Sequence, residues 1–219
     1  MSFASLSGPR MPPASGAKAE QLIVLLHGYG SDGNDLIGLA PHLGRALPGA
    51  AIVAPNGPQP TGQGGYQWFD LMSRTPQAMI EGARRAQPAI EKFVDGELER
   101  LGLGDERLAF VGFSQGTMMS LHVALRRPRT CAAVVGFSGA LISPELLKTE
   151  CRAKPPILLI HGDADDMLPV QSMFAAAQGL AAAEIAAEWH VCHGVPHGID
   201  PGGLDLATRF LRQMLRRPI

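Results

Sequence analysis

Residues 109–120 read AFVGFSQGTMMS and contain the pattern Gly-x-Ser-x-Gly at Gly112, Ser114 and Gly116. An apolar run, predicted as a β-strand over 107–112, precedes the serine, and a predicted helix over 115–126 follows it directly. A sharp strand-to-helix turn of this kind exposes the serine hydroxyl above the sheet, and the two glycines leave room where side chains would clash. Ser114 is therefore the candidate nucleophile. The alternative is a serine that only caps the helix between two packing glycines.

The rest of the chain alternates short β-rich runs with helical ones. Strands are predicted over 21–26, 51–54, 132–137, 157–160 and 187–192, and helices over 35–47 (with a break at Pro41), 75–101, 171–183 and 204–215. Because the strands are continuously apolar, the pattern predicts an α/β fold, with a mostly parallel sheet covered by helices on both faces. We expect one domain over 1–219, with a short strand and a proline-rich turn within 1–18. Short later connections leave little room for a large cap domain.

Composition excludes several classes of protein. The 219 residues are 46% hydrophobic and 18% charged, with a formal charge of −1, which suits a globular core and gives no basic face for nucleic acid. The aliphatic runs are too short to span a bilayer, and the first residues lack the pattern of a signal peptide. Three widely spaced cysteines indicate neither a disulfide framework nor a zinc site, and Cys192 is expected to pack. We expect a cytoplasmic protein.

An activated serine needs a base and a carboxylate that orients it, and after this kind of turn they follow in the order acid, then histidine. Asp163, Asp165 and Asp166 come just past the strand predicted at 157–160, and one or two of them must be turn residues. His193 and His197 lie in the loop CHGVPHGID before the last helix. His197 is the preferred base, because a proline and a glycine flank it and fix the turn, and His193 is the alternative.

The loop LLHGYGSDG at 25–33 contains Gly-x-Gly-x-x-Gly, which is also the fingerprint of a dinucleotide-binding turn. That function requires an acidic residue at the end of the next strand, yet none occurs between Asp35 and Asp70. The loop suits the stabilisation of an oxyanion, with main-chain N–H groups from Tyr29 and from Gln115. His27 and His161, each at a strand end before a glycine, are expected to brace loops. Ser138, in GFSG, is not expected to be a nucleophile.

Five motifs occur in order: LLHGYGSDGNDLIGLA, APNGPQP with WFD, GFSQG, HGDADD-x-x-P and PHGI. From Leu6 onward the chain resembles the phospholipase/carboxylesterase family, which includes acyl-protein thioesterases and small bacterial carboxylesterases. The resemblance implies an α/β-hydrolase fold without a large lid. It also implies a triad of Ser114, Asp165 and His197 and oxyanion donors at Tyr29 and Gln115, and Asp166 stays the second choice for the acid. Thr117 departs from the family, where another glycine is common.

These observations predict a serine hydrolase that cleaves carboxylic esters through an acyl-enzyme, without a metal or an organic cofactor. The resemblance places WFD near an acyl-binding groove, and the candidate substrate contacts are Trp68, Phe69, Leu71, Met72 and Leu168. The substrate is a small-molecule or lipid ester. Lysophospholipase and acyl-protein thioesterase activities are alternatives, and a non-catalytic hydrolase-fold binding module is the alternative from another class. No nucleic acid and no stable membrane insertion are expected, and a homodimer is left open.

Overall fold

A seven-stranded sheet lies at the centre of the computed structural model, which describes residues 5–62 and 64–216. The strands in chain order are β1 (Arg10–Met11), β2 (Gln21–Leu26), β3 (Ala50–Val53), β4 (Gln59–Pro60), β5 (Tyr66–Gln67), β6 (Leu108–Phe113), β7 (Ala133–Phe137), β8 (Ile157–Gly162) and β9 (Ala187–Cys192). The central sheet has the order β1-β3-β2-β6-β7-β8-β9, while β4 and β5 form a separate hairpin. Only β1 runs antiparallel to its neighbour, so the sheet is mostly parallel, as predicted.

Seven helices accompany the strands among the described residues. They are α1 (Gly33–Leu36), α2 (Ala40–Ala46), α3 (Pro76–Leu101), α4 (Gln115–Ala124), α5 (Leu147–Glu150), α6 (Gln171–Ala182) and α7 (Pro201–Leu215). The longest of them begins where Thr75 accepts a hydrogen bond from the N–H of Ala78, and it ends at Gly102 in the left-handed region. After β6, no connecting helix exceeds 12 residues, in line with the prediction of no large cap domain.

Successive residues of the inner strands face two different cores. Leu22, Val24 and Leu26 of β2 pack toward α3 and α4, whereas Ile23 and Leu25 pack toward α2 and α7. Because side chains alternate across a strand, a strand buried on both faces must be apolar throughout. The continuous apolar runs of the sequence are therefore explained by helices on both sides of the sheet.

Several predicted elements have different bounds in the structure. The helix predicted over 35–47 is divided into α1, a 3-10 turn and α2, and Pro41 lies in the first turn of α2, so the predicted break is confirmed. The segment 55–70, which is rich in glycine and proline and was predicted as a long loop, contains the β4–β5 hairpin, which was not predicted. The short strand predicted within 1–18 is β1, and residues 1–4 of that segment lie outside the described residues. None of the described helices is both long and apolar enough to cross a membrane.

Candidate active site

Ser114 lies on the turn between β6 and α4, with φ 54° and ψ −115°, in a strained backbone conformation. Its N–H donates to the carbonyl of Phe137 over 2.9 Å. A Cβ on Gly112 would overlap the backbone of the first turn of α4, and a Cβ on Gly116 would overlap the carbonyl oxygen of Leu26. The two glycines therefore let the helix start directly against the sheet and hold Ser114 at its edge.

A second feature of this edge is a histidine–carboxylate contact. Nδ1 of His197 lies 2.6 Å from Oδ2 of Asp165. The ring centroid of His197 is 4.9 Å from that of Phe113, the residue immediately before Ser114. The loop before α7 thus brings the imidazole over the strand end that carries the serine.

Asp165 has a buried side chain whose two oxygens both accept hydrogen bonds. Oδ1 accepts from the N–H of Met167 at 3.0 Å and from the N–H of Leu168 at 2.8 Å. Burial is the largest influence and raises the pKa of Asp165, but the hydrogen bonds from Leu168 and His197 together hold the pKa below its usual value. An ionised Asp165 favours the tautomer with the proton on Nδ1 of His197, which leaves Nε2 as a base.

Within the described part of the chain, the other candidate acids and the other candidate base form no hydrogen bond with the side chains of His197 or Asp165. Asp166 is exposed, and the described residues show no hydrogen bond to its side chain. Asp163 pairs with His193 at 2.8 Å and accepts from the N–H of Gly194 at 2.6 Å. This exposed pair fastens the loop that carries His197 to the end of β8.

The glycine-rich loop after β2 lies beside the serine. A Cβ on Gly28 would come within 3.3 Å of the Cβ of Ser114. Within residues 5–62 and 64–216, the main-chain N–H groups of Tyr29 and Gln115 donate to no protein acceptor. Gln115 is the first residue of α4, where the helix leaves its N–H groups unpaired and its dipole is positive. Two unpaired amides next to Ser114 can receive a negative oxygen.

His27 braces this loop from below, as predicted. It is fully buried, its Nε2 accepts from the N–H of Gly57 at 2.8 Å, and its Nδ1 donates to the carbonyl of Gly28 at 2.7 Å. Burial lowers the pKa of His27, and the neutral ring is the form that can accept and donate at once. Trp68 completes the brace, because its indole N–H donates to the carbonyl of His27 over 2.8 Å.

His161 braces the loop that follows β8, as predicted. Its Nε2 lies 2.7 Å from the carbonyl oxygen of Leu168 and 3.2 Å from Oδ2 of Asp165. The side chain is 1% exposed, and its Nδ1 has no partner in the part of the chain that the structure describes. The ring therefore ties the carboxylate to the turn that follows it.

The side chain of Gln115 has a structural role that was not predicted from the sequence. Oε1 accepts from the N–H of Trp68 at 3.0 Å, and Nε2 donates to the carbonyl of Phe69 at 2.7 Å. The feature of the sequence that could have indicated this role is an amide side chain directly after the serine. These bonds attach the WFD segment to the start of α4.

The residues predicted to contact substrate are differently exposed. Trp68 and Phe69 are 1% and 2% exposed and belong to the core. Leu71 and Leu168 are half-buried against that core, and Met72 is 93% exposed. Their contact with substrate stays a prediction. Met167, which is 66% exposed two residues after Asp165, was not among the predicted contacts.

The burial of Ser138 and of Cys192 agrees with what the sequence predicted for these two residues. Ser138 is 1% exposed, so its hydroxyl is not presented to solvent as that of a nucleophile would be. Cys192 is buried, and burial raises the pKa of its thiol to about 12, with a further contribution from Asp200. A neutral, buried thiol fits the predicted packing role.

Comparison with known proteins agrees with this architecture. The family model described as phospholipase/carboxylesterase matches residues 13–215. The crystal structure of esterase PE8 superposes with a TM-score of 0.91 at 44% identity, covering 97% of this chain and all of that one. Esterase YpfH of Escherichia coli strain K12 is 28% identical over 89% of this chain and 83% of its own length. Acyl-protein thioesterase 1 homolog 1 of Dictyostelium discoideum is 26% identical over 88% and 90%. The chain therefore belongs to the phospholipase/carboxylesterase family of serine hydrolases with the α/β-hydrolase fold.

Proposed function

We propose that this protein hydrolyses carboxylic esters through an acyl-enzyme formed on Ser114, with His197 as the base and Asp165 as its orienting carboxylate. The observation that carries the proposal is the 2.6 Å contact between Nδ1 of His197 and Asp165, beside the strained turn of Ser114. A non-catalytic binding module with a hydrolase fold does not require a buried carboxylate in contact with an imidazole next to that turn.

The chemistry follows from these positions. Nε2 of His197 accepts the proton of the Ser114 hydroxyl while Oγ attacks the ester carbonyl. The tetrahedral intermediate collapses, the alkoxide leaves with that proton as an alcohol, and the acyl group stays on Oγ. His197 then deprotonates a water that attacks the acyl-enzyme, which releases the acid and restores the hydroxyl. Asp165 stabilises the imidazolium in both steps.

The two unpaired amides supply the oxyanion hole. The N–H groups of Tyr29 and Gln115 donate to the carbonyl oxygen as it becomes negative. Each such donor typically contributes about 10²–10³ in rate, because it is fixed before the charge develops. His27 and the glycine-rich loop hold Tyr29 in place, and α4 holds Gln115.

The substrate class is an ester with an apolar acyl or alcohol part. Tyr29 is 50% exposed next to the glycine beside Ser114, and Met167 is 66% exposed beside the acid, so apolar surface flanks the site on two sides. Leu71, Met72 and Leu168 extend it in this proposal. Thioester cleavage is the second candidate, because the same acyl-enzyme serves it and one similar protein is named an acyl-protein thioesterase.

We also infer that the enzyme works in the cytoplasm. Cys131, Cys151 and Cys192 are all unpaired thiols, which suits a reducing compartment. Fractionation of the producing cells tests this inference, since activity recovered outside the cytoplasmic fraction would contradict it.

Replacement of the nucleophile tests the reaction itself. Ser114→Ala should lose labelling by a fluorophosphonate probe, and its kcat/KM for 4-nitrophenyl esters should fall by about 10⁴-fold or more. Ser15→Ala, which removes an exposed hydroxyl far from this edge, is the matched control and should keep both. Labelling or turnover retained in Ser114→Ala would refute the assignment. A panel of acyl chain lengths, as oxygen esters and as thioesters, then ranks the substrates.

A further inference from the structure

One edge of the central sheet is open. The strand β9 pairs with β8 only, and no strand among the described residues pairs with its other side. Three consecutive residues of this edge, Glu188, Trp189 and His190, are exposed, and Trp189 is exposed to 53%. A tryptophan is a large apolar side chain to leave in water on an unpaired strand.

The opposite edge of the same sheet is protected. There β1 has two residues, prolines precede and follow it, and its Arg10 is bound to Glu97 of α3 at 2.6 Å. Short strands, prolines and charges are the usual means of preventing edge-to-edge pairing. The six residues of β9 contain neither lysine nor proline, and their register with β8 is continuous from Ala187 to Cys192, without a bulge.

The unpaired main-chain groups of β9 can be assigned to particular residues. The carbonyl of Cys192 accepts from the N–H of Asp163 at 3.1 Å, so the polar groups of Cys192 face β8. Since these groups alternate in direction along a strand, Ala187, Trp189 and Val191 direct their N–H and C=O groups away from the sheet. A further strand would hydrogen-bond to these three residues.

We propose that the added strand is β9 of a second copy of this chain, antiparallel and related by a two-fold axis through Trp189. In this register Trp189 lies opposite the partner's Trp189 as a hydrogen-bonded pair. Glu188 then lies opposite the partner's His190, and His190 opposite the partner's Glu188, at non-hydrogen-bonded positions where side chains come closest. Each carboxylate of Glu188 thus lies opposite an imidazole that can donate a hydrogen bond to it, and the strand is complementary to itself at these two positions.

Other registers lack this complementarity. An axis through His190 would juxtapose main-chain groups that already face β8, and it would place His190 against the partner's His190. An axis through Val191 moves Glu188 beyond the end of the partner strand. Only the axis through Trp189 combines free hydrogen-bonding groups with two acid–histidine pairs.

The side chains on the other face of β9 support the same arrangement. Trp189 points toward α6, where its ring meets Phe174 edge-on at a centroid distance of 5.3 Å and an angle of 88°. The two-fold axis brings the partner's Trp189 against this pair, so the exposed part of each indole would be buried by aromatic contact. The dimer joins the two sheets into one and leaves both Ser114 sites uncovered.

Sedimentation equilibrium of the full chain tests the proposal, and we expect a concentration-dependent dimer. Glu188→Lys should raise the dissociation constant about tenfold or more, because two attractive cross-strand pairs are lost. Glu188→Lys combined with His190→Glu should restore dimerisation, since each lysine then faces a glutamate. Glu99→Lys, an equal charge change on the exposed face of α3, is the control and should dimerise normally.

Tryptophan emission gives a second readout. The chain has two tryptophans, and Trp68 is buried, so a blue shift with rising concentration reports on Trp189. A monomeric mass at all concentrations overturns the proposal, and so does a dimer that survives both Glu188→Lys and Trp189→Lys. Retained ester hydrolysis in these variants would show that they fold, and it separates this outcome from a failure of the proposed reaction.

Discussion

Asp165 is distinguished from its neighbours by the donors that converge on it. Two main-chain N–H groups occupy Oδ1, while His197 and His161 approach Oδ2 at 2.6 Å and 3.2 Å. The carboxylate is fixed before any substrate arrives, and this suits the role we propose for it, because a fixed group needs no reorganisation during the reaction. The exposed Asp166 has no such contacts, although it is the next residue in the chain.

Paired amide substitutions separate the two aspartates. Asp165→Asn keeps the shape but removes the charge, and its amide favours the tautomer of His197 that cannot act as a base. We expect kcat/KM to fall by about 10³–10⁴-fold. Asp166→Asn should stay within about twofold of the native value, because no partner is lost. A larger loss at Asp166 in the same ester assay would reverse the assignment of the acid.

From the residues alone, the flanking proline and glycine favoured His197 over His193, whereas the three aspartates after the strand were indicated only as a set. The resemblance to the family selects Asp165 among them. Which of the three carboxylates is buried depends on the conformation of the turn at 162–168, and the spacing of the aspartates does not determine that conformation. For the same reason, neither the exposure of Met167 nor the burial of Trp68 could be predicted from the sequence.

At the scale of elements, the turn at Ser114 is held to the sheet by Thr117. The resemblance to the family led us to expect another glycine near this position. Its hydroxyl lies 2.9 Å from the carbonyl oxygen of Gly112 and 2.8 Å from that of Phe137, and its side chain fills the space that Gly136 and Gly139 leave open. The threonine thus ties α4 to β6 and β7, while Gly136 on β7 and Gly139 in the loop after it make room for the side chain.

Glycine-to-alanine substitutions measure how closely α4 packs against the sheet. Gly116→Ala places a methyl group on the carbonyl oxygen of Leu26, a main-chain atom that cannot move aside. We expect a loss of about 3 kcal/mol or more in the free energy of unfolding by urea, or failure to fold. Gly96→Ala, within α3 and with no atom in reach of the new methyl, should gain about 0.5–1 kcal/mol. Equal effects at both positions would contradict this account of the turn.

The longer elements were predicted within a few residues, whereas the short elements β4, β5 and α5 were not predicted. The predicted and observed bounds of β9 coincide at 187–192, and the helix predicted over 171–183 ends one residue earlier as α6. The strands β4 and β5 have two residues each and α5 has four, too few to form a periodic pattern. They are held by tertiary contacts, such as the pairing of Ser31 with Tyr66.

At the scale of the whole molecule, a buried histidine connects folding to pH. His122 of α4 is 1% exposed under α3, and its Nε2 lies 3.0 Å from Oε1 of Gln87. Burial, followed by the charge of Arg126 just beyond the end of α4, lowers the pKa of His122 to about 3. Arg84 adds to this effect and Glu150 opposes it. The folded protein therefore keeps this ring neutral at pH values where the unfolded chain protonates it.

The pH dependence of unfolding tests this coupling. Because the folded pKa of His122 is depressed, its contribution to stability is complete above about pH 6.5 and is lost as the pH falls toward 3. One proton of difference corresponds to a slope of about 1.4 kcal/mol per pH unit in that window. His122→Gln keeps a donor to Gln87 but binds no proton. Between roughly pH 6 and pH 4, the free energy of unfolding of this variant should therefore fall less steeply than that of the native chain, by about 1.4 kcal/mol per pH unit. Urea denaturation at a series of pH values measures both slopes, and parallel curves for the native and variant chains would show that His122 titrates normally in the folded state.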